Sequence, residues 1–354
     1  MNAPLKISDA GKDTRSAPYS ADGLIARARN PFWLAPMAGI TDVCFRQLME
    51  EMGAGVLISE LVSAKGLLYN SGKTHKMMRV HAEPAAPVGI QLFGEDPDDI
   101  VEVARFVKDT GASFVDINLG CPVKKVVKKG CGAALMRDPS YLESFLYRIK
   151  KGIELPLTVK MRTGWSEEEL TIHECVQAAC NAGCEWVSIH GRTRAQGYRG
   201  IADWDLIREV KQKAKIPIVG NGDIRSAERA RMRLKESGVD AVMIGRGALR
   251  NPWIFSECLG GEKGGAEKAL KVLERYLELL RVRYDVRMTL ILIRKFAAWL
   301  AFGYPGAAAF RGTMFKMPTA GLVMEQAAGF FTERAHLPPP EFEESEAFMM
   351  GGHG

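Results

Sequence analysis

Eight short apolar runs recur along the chain, and the spacing between neighbouring runs leaves room for a helix. Uninterrupted apolar strands that alternate with helices are typical of a parallel sheet whose outer face is covered. Eight such units predict an α/β fold, a (β/α)8 TIM barrel. The alternative is a doubly wound open sheet, which rarely needs eight evenly spaced strands. The runs are Phe32–Ala35, Gly55–Leu61, Pro87–Phe93, Phe114–Leu119, Pro156–Met161, Trp186–His190, Ile216–Gly220 and Ala241–Gly245.

Helix signals fill several of the intervals between these runs. Ser166 followed by Glu169 is typical of a capping box, and Gly183 is a typical residue after a helix end. Gly111 and Gly238 give the same end signal for two other helices. The predicted helices are Thr41–Met52, Asp98–Thr110, Ser166–Ala182 and Ser226–Ser237.

The pattern changes after Pro252, where a glycine-rich segment at 260–265 precedes a helical stretch. Leucines that repeat every three or four residues from Leu270 to Leu280 define one apolar helix face. We predict a C-terminal α-helical bundle domain with helices Ala266–Tyr284, Met288–Phe302, Ala307–Lys316 and Thr319–Glu333. The predicted organisation is a flexible arm at 1–30, a barrel at 31–260, the helical domain at 261–337 and a disordered acidic tail at 338–354.

The composition is that of a soluble globular protein, with 354 residues of which 47% are hydrophobic and 25% charged. The formal charge of +6 is weak evidence for an anionic partner. The seven cysteines lack the spacing of a disulfide framework or a zinc site, so we expect no metal. Residues 1–30 do not resemble a signal peptide, and no apolar stretch approaches the ~20 residues of a membrane span. These features predict a cytoplasmic protein without a membrane contact.

Polar side chains and glycine turns follow the runs, where a barrel of this kind carries its active site. The turns after runs seven and eight, Asn221–Asp223 and Gly245–Gly247, match the position of the phosphate site in such barrels. Arg246 adds a bidentate donor, although glycine turns alone are often only tight turns. The other residues at the run ends are Pro36, Met37, Ala38, Gln91, Asn118, Cys121, Lys160, Arg162, His190 and Arg192.

A thiol follows the fourth run. Cys121 lies in a Gly–Cys–Pro turn, and Lys124, Lys125, Lys128 and Lys129 follow it. A lone cysteine is often a small buried apolar residue, and four lysines are often a solvated surface. The position of Cys121 at a strand end beside a basic loop favours a proton donor to a nucleic-acid base.

Two further side chains allow more than one role. Lys160 is a cation at the end of an apolar run, where it suits a developing anion such as N1–C2=O of a reduced flavin. The alternative is a salt bridge to a carboxylate on a neighbouring strand. His190 is a neutral, hydrogen-bonded residue, a phosphate ligand or an aid to proton transfer.

Taken together, the motifs resemble those of the tRNA-dihydrouridine synthases, with the bacterial B type, also called NifR3-like, as the nearest branch. The similarity extends in order from about Pro31 to about Glu333. The motifs that carry it are Pro36-Met37-Ala38-Gly39-Ile40-Thr41-Asp42, Asn118-Leu119-Gly120-Cys121-Pro122 with Lys124-Lys125-Val126, Val159-Lys160-Met161-Arg162, Ile189-His190-Gly191-Arg192-Thr193, Gly220-Asn221-Gly222-Asp223-Ile224 and Ile244-Gly245-Arg246-Gly247.

The resemblance implies a barrel that binds FMN tightly, a helical domain that binds tRNA, and NADPH or NADH as a transient hydride donor. Cys121 matches the proton donor of the family. The implied cofactor-binding residues are Pro36, Met37, Ala38, Gln91, Lys160, His190, Asn221, Gly222, Asp223, Gly245 and Arg246. The expected substrate-binding residues are Asn118, Lys124, Lys125, Arg162, Arg192, Arg294 and Lys295. We expect the protein to be a monomer.

The implied reaction reduces the C5=C6 bond of a uridine in tRNA, and Cys121 protonates C5. Two residues depart from the family pattern. Cys131 stands where the family usually has Ala or Ser, so a contact between Cys121 and Cys131 under oxidation is one possibility. Phe296 follows Arg294–Lys295 where many relatives have histidine. Because nearby lysines lower a thiol pKa, we predict that the four lysines after Cys121 point away from its sulfur.

RNA binding is expected mainly from the helical domain. Between Arg281 and Lys316 the chain has seven basic residues and one acid, Asp285, although a solvated helix face has a similar composition. One rival is a small-molecule flavin oxidoreductase, such as a dihydroorotate-like or free-pyrimidine dehydrogenase, which needs no basic helical extension. The other rival is a non-enzymatic RNA-binding protein, which has no need of Cys121, Lys160 and both phosphate turns.

Overall fold

The structure, a computed structural model, describes residues 23–69 and 72–341. Its central sheet contains β1 (Phe32–Leu34), β2 (Leu57–Ser63), β3 (Val88–Phe93), β4 (Phe114–Leu119), β5 (Leu157–Arg162), β6 (Val187–His190), β7 (Ile218–Asn221) and β8 (Ala241–Ile244). All ladders between these strands are parallel, in the order β1-β8-β7-β6-β5-β4-β3-β2. Backbone hydrogen bonds from Leu34 N to Val56 O and from Gly55 N to Phe32 O join the two ends. The predicted barrel is confirmed.

Helices lie between successive strands and after β8. They are α1 (Val43–Glu51), α2 (Ala64–Leu68), α3 (Gly72–Met77), α4 (Pro97–Asp109), α5 (Lys124–Val127), α6 (Pro139–Gly152), α7 (Ile172–Asn181), α8 (Trp204–Lys213), α9 (Ala227–Ser237), α10 (Gly247–Arg250) and α11 (Ile254–Cys258). Short 3-10 helices lie at Leu24–Arg27 and Gly132–Arg137. Asp42 and Asp96 cap α1 and α4 through their carboxylates, as expected for helix N-termini.

The predicted start of the helix at Ser166 is wrong. Helix α7 begins at Ile172 after Thr171, and the Ser166–Glu169 segment forms a turn instead. Glu169 N donates to Ser166 O, and Trp165 N donates to Glu169 O at 2.9 Å, which folds the segment back on itself. The indole of Trp165 lies between the guanidinium groups of Arg137 and Arg194, at 4.7 and 4.5 Å. Tertiary packing of this loop therefore overrides the local capping pattern.

The end of the barrel interior opposite the strand C-termini is filled by large apolar side chains. Trp33, Phe114 and Trp186 pack against one another, with ring centroids 4.8 and 4.9 Å apart, and all three are buried. Leu24, from the first 3-10 helix, belongs to the same cluster and covers it from below. The lower half of the barrel is thus a packed core, so any site must lie in the upper half.

The C-terminal helices pack on one side of the barrel. They are α12 (Ala266–Arg283), α13 (Val286–Leu300), α14 (Ala307–Met314) and α15 (Ala320–Thr332). Helix α12 meets α1 of the barrel, where Cys44 Sγ lies 3.3 Å from Leu279 O and Phe45 packs edge-on to Tyr276. The predicted helical bundle is confirmed, with bounds that differ by at most two residues at either end.

Some predictions fall outside the described residues. Most of the arm predicted at 1–30 and most of the tail predicted at 338–354 belong to this group, so the predicted domain limits stay predictions. In the part of the chain that is described, every helix is too short or too polar to cross a bilayer. In the same part, no three His, Cys, Asp or Glu side chains are grouped as metal ligands would be.

Candidate active site

The strand C-termini bring several of the predicted site residues to one mouth of the barrel. The parallel register pairs Asn118 of β4 with Lys160 of β5, Arg162 of β5 with His190 of β6, and His190 with Asn221 of β7. Residues that alternate along each strand face the interior, so these side chains extend the inner layers of the barrel upward.

A series of hydrogen bonds leads from the barrel interior to Cys121. The buried carboxylate of Asp116 accepts from Gln91 Nε2 at 2.7 Å and from Thr158 Oγ1 at 2.6 Å. Gln91 Oε1 accepts from Asn118 Nδ2 at 2.9 Å, and Asn118 Oδ1 accepts from Cys121 N at 2.8 Å. Asp116 therefore sets the orientation of both amides. Asn118 uses its acceptor to hold the cysteine turn.

The thiol of Cys121 is half-buried and protonated at neutral pH. Burial raises its pKa, while the backbone at Val123 and the charge of Arg162 oppose that rise. Arg162 reaches the turn directly, because its Nε donates to Gly120 O at 2.8 Å. Its Nη1 donates to the carbonyls of Thr193 and Gly197, so it joins two loops of the mouth. Burial lowers the pKa of Arg162 to about 10.

The basic loop after Cys121 begins with a short helix. Lys124 and Lys125 are the first residues of α5, and Lys128 and Lys129 are exposed to solvent. Among the described side chains, the positive charge of Arg162 opposes the rise of the Cys121 pKa. The predicted orientation of the four lysines away from the sulfur stays a prediction, and exposure of Lys128 and Lys129 is consistent with it.

Lys160 is a half-buried cation in the wall of the mouth. Its Nζ donates to Asn221 Oδ1 at 3.0 Å, a neutral amide rather than a carboxylate. The pKa of Lys160 is lowered to about 8, mainly by burial and then by the positive charge of Arg162, while the negative charge of Asp116 opposes both. The sequence left a salt bridge open, and the observed hydrogen bond is with an amide. A half-buried, partly compensated cation is suited to an anionic ligand atom.

His190 is neutral. Burial lowers its pKa well below the ordinary value, and the surrounding cations Arg162, Lys160, Arg192 and Arg246 lower it further. Its Nε2 lies 3.3 Å from Arg192 Nη1. A neutral imidazole can donate or accept a hydrogen bond but carries no charge for binding phosphate.

Arg192 forms a buried ion pair with Asp223, with Nη2 2.7 Å from Oδ2. Arg192 also donates to the carbonyls of Arg199 and Gly200. Asp223 Oδ2 accepts from Ala202 N, so the pair holds the loop after β6 against the turn after β7. The contact of Arg192 with substrate stays a prediction, and its burial does not favour that contact.

The two glycine turns differ in why they contain glycine. A Cβ on Gly222 would lie 2.4 Å from Ala202 Cβ, and Gly222 has φ +139°, so the fold itself requires glycine there. A Cβ on Gly245 would make only ordinary contacts at 3.6 Å with Ala35 and Met37 among the described residues. Glycine at 245 therefore leaves the backbone open toward the mouth, as close approach of a ligand requires.

Tyr198 is a mouth residue that the motif analysis missed. Its ring lies 4.8 Å from the guanidinium of Arg246, 5.7 Å from that of Arg162 and 6.3 Å from the His190 ring. Tyr198 is 48% exposed, although three buried or half-buried side chains lie near its ring. It lies eight positions after His190 in an irregular loop, and no periodic pattern marks it. The sequence marks Tyr198 as a mouth residue only by its short distance from the His-Gly-Arg-Thr motif.

Comparison with known proteins explains this combination of residues. The sequence model of the family described as Dihydrouridine synthase (Dus) matches residues 33–331. The chain belongs to the dihydrouridine synthase family. The match includes all eight strands but for the first residue of β1, and nearly all of the helical bundle.

Curated relatives agree with the family and with the bacterial B type. A protein named "Probable tRNA-dihydrouridine synthase" from Rickettsia conorii is 36% identical over 306 residues, which are 84% of this chain and 92% of the relative. The "tRNA-dihydrouridine synthase B" of Pseudomonas aeruginosa is 36% identical over 312 residues, covering 86% and 94% of the two chains. That of Vibrio vulnificus is 35% identical over 310 residues, covering 86% and 96%.

Solved structures of similar shape show the fold alone. An old yellow enzyme homologue from Zymomonas mobilis matches with a TM-score of 0.50 and 13% identity, over 67% of this chain and 90% of that one. Histamine dehydrogenase from Rhizobium sp. 4-9 matches with a TM-score of 0.53 and 14% identity, over 71% of this chain and 49% of that one.

In this member of the dihydrouridine synthase family, some basic residues of the helical domain are exposed and others are half-buried. Arg281, Arg287 and Lys316 are exposed. Arg294 and Lys295 are half-buried, and Arg294 Nη2 donates to Met317 O, which directs it into the bundle. RNA contacts of Arg294 and Lys295 stay predictions, with Lys295 the less engaged of the two among the described contacts.

The two departures from the dihydrouridine synthase pattern occupy buried positions. Phe296 is fully buried, with its ring 4.9 Å from Tyr276 and 5.8 Å from Phe45, so it packs α13 against α1 and α12. Cys131 is also buried, its Sγ is 3.6 Å from Lys129 O, and burial raises its pKa to about 11. All seven cysteines are free thiols.

Proposed function

We propose that this chain is a bacterial B-type tRNA-dihydrouridine synthase, an FMN-dependent oxidoreductase that reduces the C5=C6 bond of uridines in tRNA to 5,6-dihydrouridine. Membership of the dihydrouridine synthase family supports the enzyme class, the flavin and the tRNA substrate. One observation carries the residue assignments: a half-buried thiol and a half-buried lysine with an amide partner lie at the same barrel mouth.

The residues of the mouth fit a flavin mononucleotide. Lys160 offers a desolvated cation for the N1–C2=O edge, and Gly245 leaves space beside Met37. Arg246 and the backbone at Gly245 suit the phosphate, since glycine permits close approach of N–H groups, and Gly222 is a further proposed cofactor contact. A bound flavin supplies the hydride that uracil C6 receives. The further proposed contacts are with Pro36, Met37, Ala38, Gln91, His190, Asn221 and Asp223.

Cys121 supplies the proton for uracil C5. A general acid must hold its proton at working pH, and burial raises the Cys121 pKa in the direction that ensures this. Asn118 holds the backbone N–H of Cys121, and Arg162 holds the carbonyl of Gly120, so both sides of the turn are fixed. The orientation of the thiol is therefore set before substrate arrives.

The target uridine must leave its stack to reach this mouth. Tyr198 offers a partly exposed aromatic ring backed by two guanidinium groups, a surface on which a base can stack. Asn118, Lys124, Lys125, Arg162 and Arg192 are the remaining proposed substrate contacts at the barrel. Arg294 and Lys295, with the exposed Arg281, Arg287 and Lys316, would contact RNA phosphates.

Three finer assignments complete the proposal. NADPH or NADH is the source of reducing equivalents and visits the same mouth transiently, whereas FMN stays tightly bound. No metal takes part, and the enzyme acts as a monomer. Dialysis, chelation with EDTA and sedimentation of the purified holoenzyme test these three assignments separately.

The test of the proposed function is a Cys121→Ala variant of the holoenzyme. Without the acid, dihydrouridine formation in tRNA should fall by about 10²–10⁴-fold, since general acid catalysis has that magnitude. Reduction of the bound flavin by NADPH, followed by bleaching of its visible absorption, should stay within about twofold, because no proton is passed to uracil in that half-reaction.

Cys131→Ala is the matched control, because it removes a neighbouring buried thiol that the proposal gives no role. It should keep dihydrouridine formation. Normal turnover of tRNA by Cys121→Ala would contradict the acid assignment. Reduction of free uracil or dihydroorotate chemistry in place of tRNA turnover would favour the small-molecule oxidoreductase instead.

A further inference from the structure

We propose that Glu60 is a positioning residue that holds the turn after β1 in the shape that receives the flavin. Glu60 lies in β2, and its Oε1 accepts a hydrogen bond from the backbone N of Gly39. The carboxylate is 9% exposed and faces the Pro36–Ile40 turn, 21 positions earlier in the chain. A carboxylate that accepts a backbone N–H forms one of the stronger hydrogen bonds in proteins.

Glu60 and Thr41 hold the turn at different points. Thr41 Oγ1 accepts from Met37 N at 3.1 Å, and Thr41 N donates to Met37 O at 3.0 Å. Thr41 thus fixes the start of the turn, and Glu60 fixes its tip. Gly39 has φ +70°, a left-handed conformation that the turn must keep.

The position of the turn matters because of what lies across from it. The Sδ of Met37 lies 3.6 Å from where a Cβ of Gly245 would be, so the turn forms one side of the space above Gly245. If the tip of the turn moves, Met37 moves with it, and the space for a ligand beside Gly245 changes. This step rests on the proposed function, which places the flavin in that space.

A buried guanidinium supports the arrangement from behind. Arg46 is fully buried on α1, and its Nη1 donates to Thr41 O at 2.6 Å. Burial lowers the pKa of Arg46, and the negative charges of Asp42 and Glu60 oppose that effect. Asp42 Oδ2 in turn lies 3.4 Å from the hydroxyl of Tyr276 on α12. The same charged cluster therefore contacts the turn and the helical bundle.

Three substitutions at Glu60 separate its hydrogen bond from its charge. Glu60→Gln keeps an oxygen acceptor, Glu60→Asp keeps the charge but withdraws the acceptor, and Glu60→Ala removes both. The matched control is Glu50→Gln. Glu50 lies near the C-terminal end of α1, is also 9% exposed, and its carboxylate hydrogen-bonds to Ala86 N and to the His81 ring.

Two measurements are made on the full-length protein. Titration of deflavinated protein with FMN gives the dissociation constant, and hydrogen–deuterium exchange of the flavin-free protein reports a peptide covering 36–41. Glu60→Ala and Glu60→Asp should weaken FMN binding about tenfold and accelerate exchange in that peptide. Glu60→Gln should have a smaller effect than Glu60→Asp in both measurements, and Glu50→Gln should stay within about twofold of the unsubstituted protein.

Unchanged FMN affinity and unchanged exchange in Glu60→Asp, or an effect as large in Glu50→Gln, would overturn the positioning role. If Glu60→Ala does not fold, Glu60→Asp and Glu60→Gln decide the matter. The exchange measurement needs no flavin. Failure of the unsubstituted protein to bind FMN would therefore contradict the proposed function, whereas unaltered exchange at 36–41 in Glu60→Asp would contradict this inference alone.

Discussion

The two ends of the barrel interior are formed by the same strands, but one end is apolar and the other is polar and charged. At the lower end, Phe114 of β4 packs with Trp33 and Trp186 in an apolar cluster. Two positions further along β4, the buried carboxylate of Asp116 begins the polar layer. Above it, the mouth contains the half-buried cation of Lys160 and the buried cation of Arg162.

The difference shows where stability and chemistry oppose each other in this molecule. Burial of aromatic rings lowers the free energy of the folded state, because apolar area leaves water. Burial of charge costs free energy unless partners compensate it, and the raised pKa of Asp116 and lowered pKa of Lys160 record that cost. Substitutions at the two ends should therefore differ in sign as well as in size.

The largest effect is expected at the lower end. Trp186→Ala should lower the free energy of unfolding by about 3–5 kcal/mol, because it leaves a cavity between Trp33 and Phe114. Turnover of tRNA per folded, flavin-loaded molecule should be nearly unchanged. Denaturant unfolding measures the first quantity, and Tyr147→Ala on an exposed surface is the control with an expected change below about 0.5 kcal/mol. A large loss of turnover per folded molecule would break the division between the two ends.

The second-largest effect is expected at Asp116, whose pKa is raised by burial from 3.8 to about 6. The folded state then binds the proton more tightly than the unfolded state, so the contribution of Asp116 to stability falls as pH rises from about 4 to 6. Asp116→Asn removes this dependence. As pH rises from 4 to 6, the free energy of unfolding of the variant should increase by at most about 3 kcal/mol relative to that of the unsubstituted protein. Unfolding curves across that range measure it, and parallel curves would contradict the assigned pKa.

Lys160→Met should raise the free energy of unfolding by a smaller amount, about 1–2 kcal/mol at pH 7, because an apolar side chain replaces a desolvated cation. The folded pKa of about 8 lies below the ordinary 10.5, so the penalty is full below pH 8 and disappears as pH rises toward 10.5. Reduction of the bound flavin by NADPH should slow, since the charge near its anionic edge is lost. Lower stability together with normal flavin reduction would count against a cofactor role for Lys160.

The smallest effects belong to a third region, the outer face of the helical domain. Arg281→Ala and Arg287→Ala should each reduce the slope of log Kd against log salt concentration for tRNA by about 1, if each residue contacts one phosphate. Lys213→Ala, on an exposed barrel helix and paired with Glu209, is the control. Equal slopes for all three variants would place the RNA elsewhere.

Prediction from sequence was most successful for regular elements. The bounds of β4 and the presence of all eight strands and of the four C-terminal helices were predicted, because apolar periodicity is a property of neighbouring residues. The start of α7 was wrong, since Trp165 is held between Arg137 and Arg194 and draws the capping segment into a loop. Tyr198 was missed because an irregular loop has no period.

The sequence by itself determined the barrel, the helical addition and the residues that reach the mouth, since strand order and alternation place them there. Only the tertiary structure decided how those residues are used. Glu60 meets Gly39 across 21 positions, Asp116 meets Gln91 across 25, and Phe296 is enclosed by Phe45 and Tyr276. The physical reason is that hydrogen bonds and pKa shifts depend on distance and burial in space, which separation along a chain does not specify.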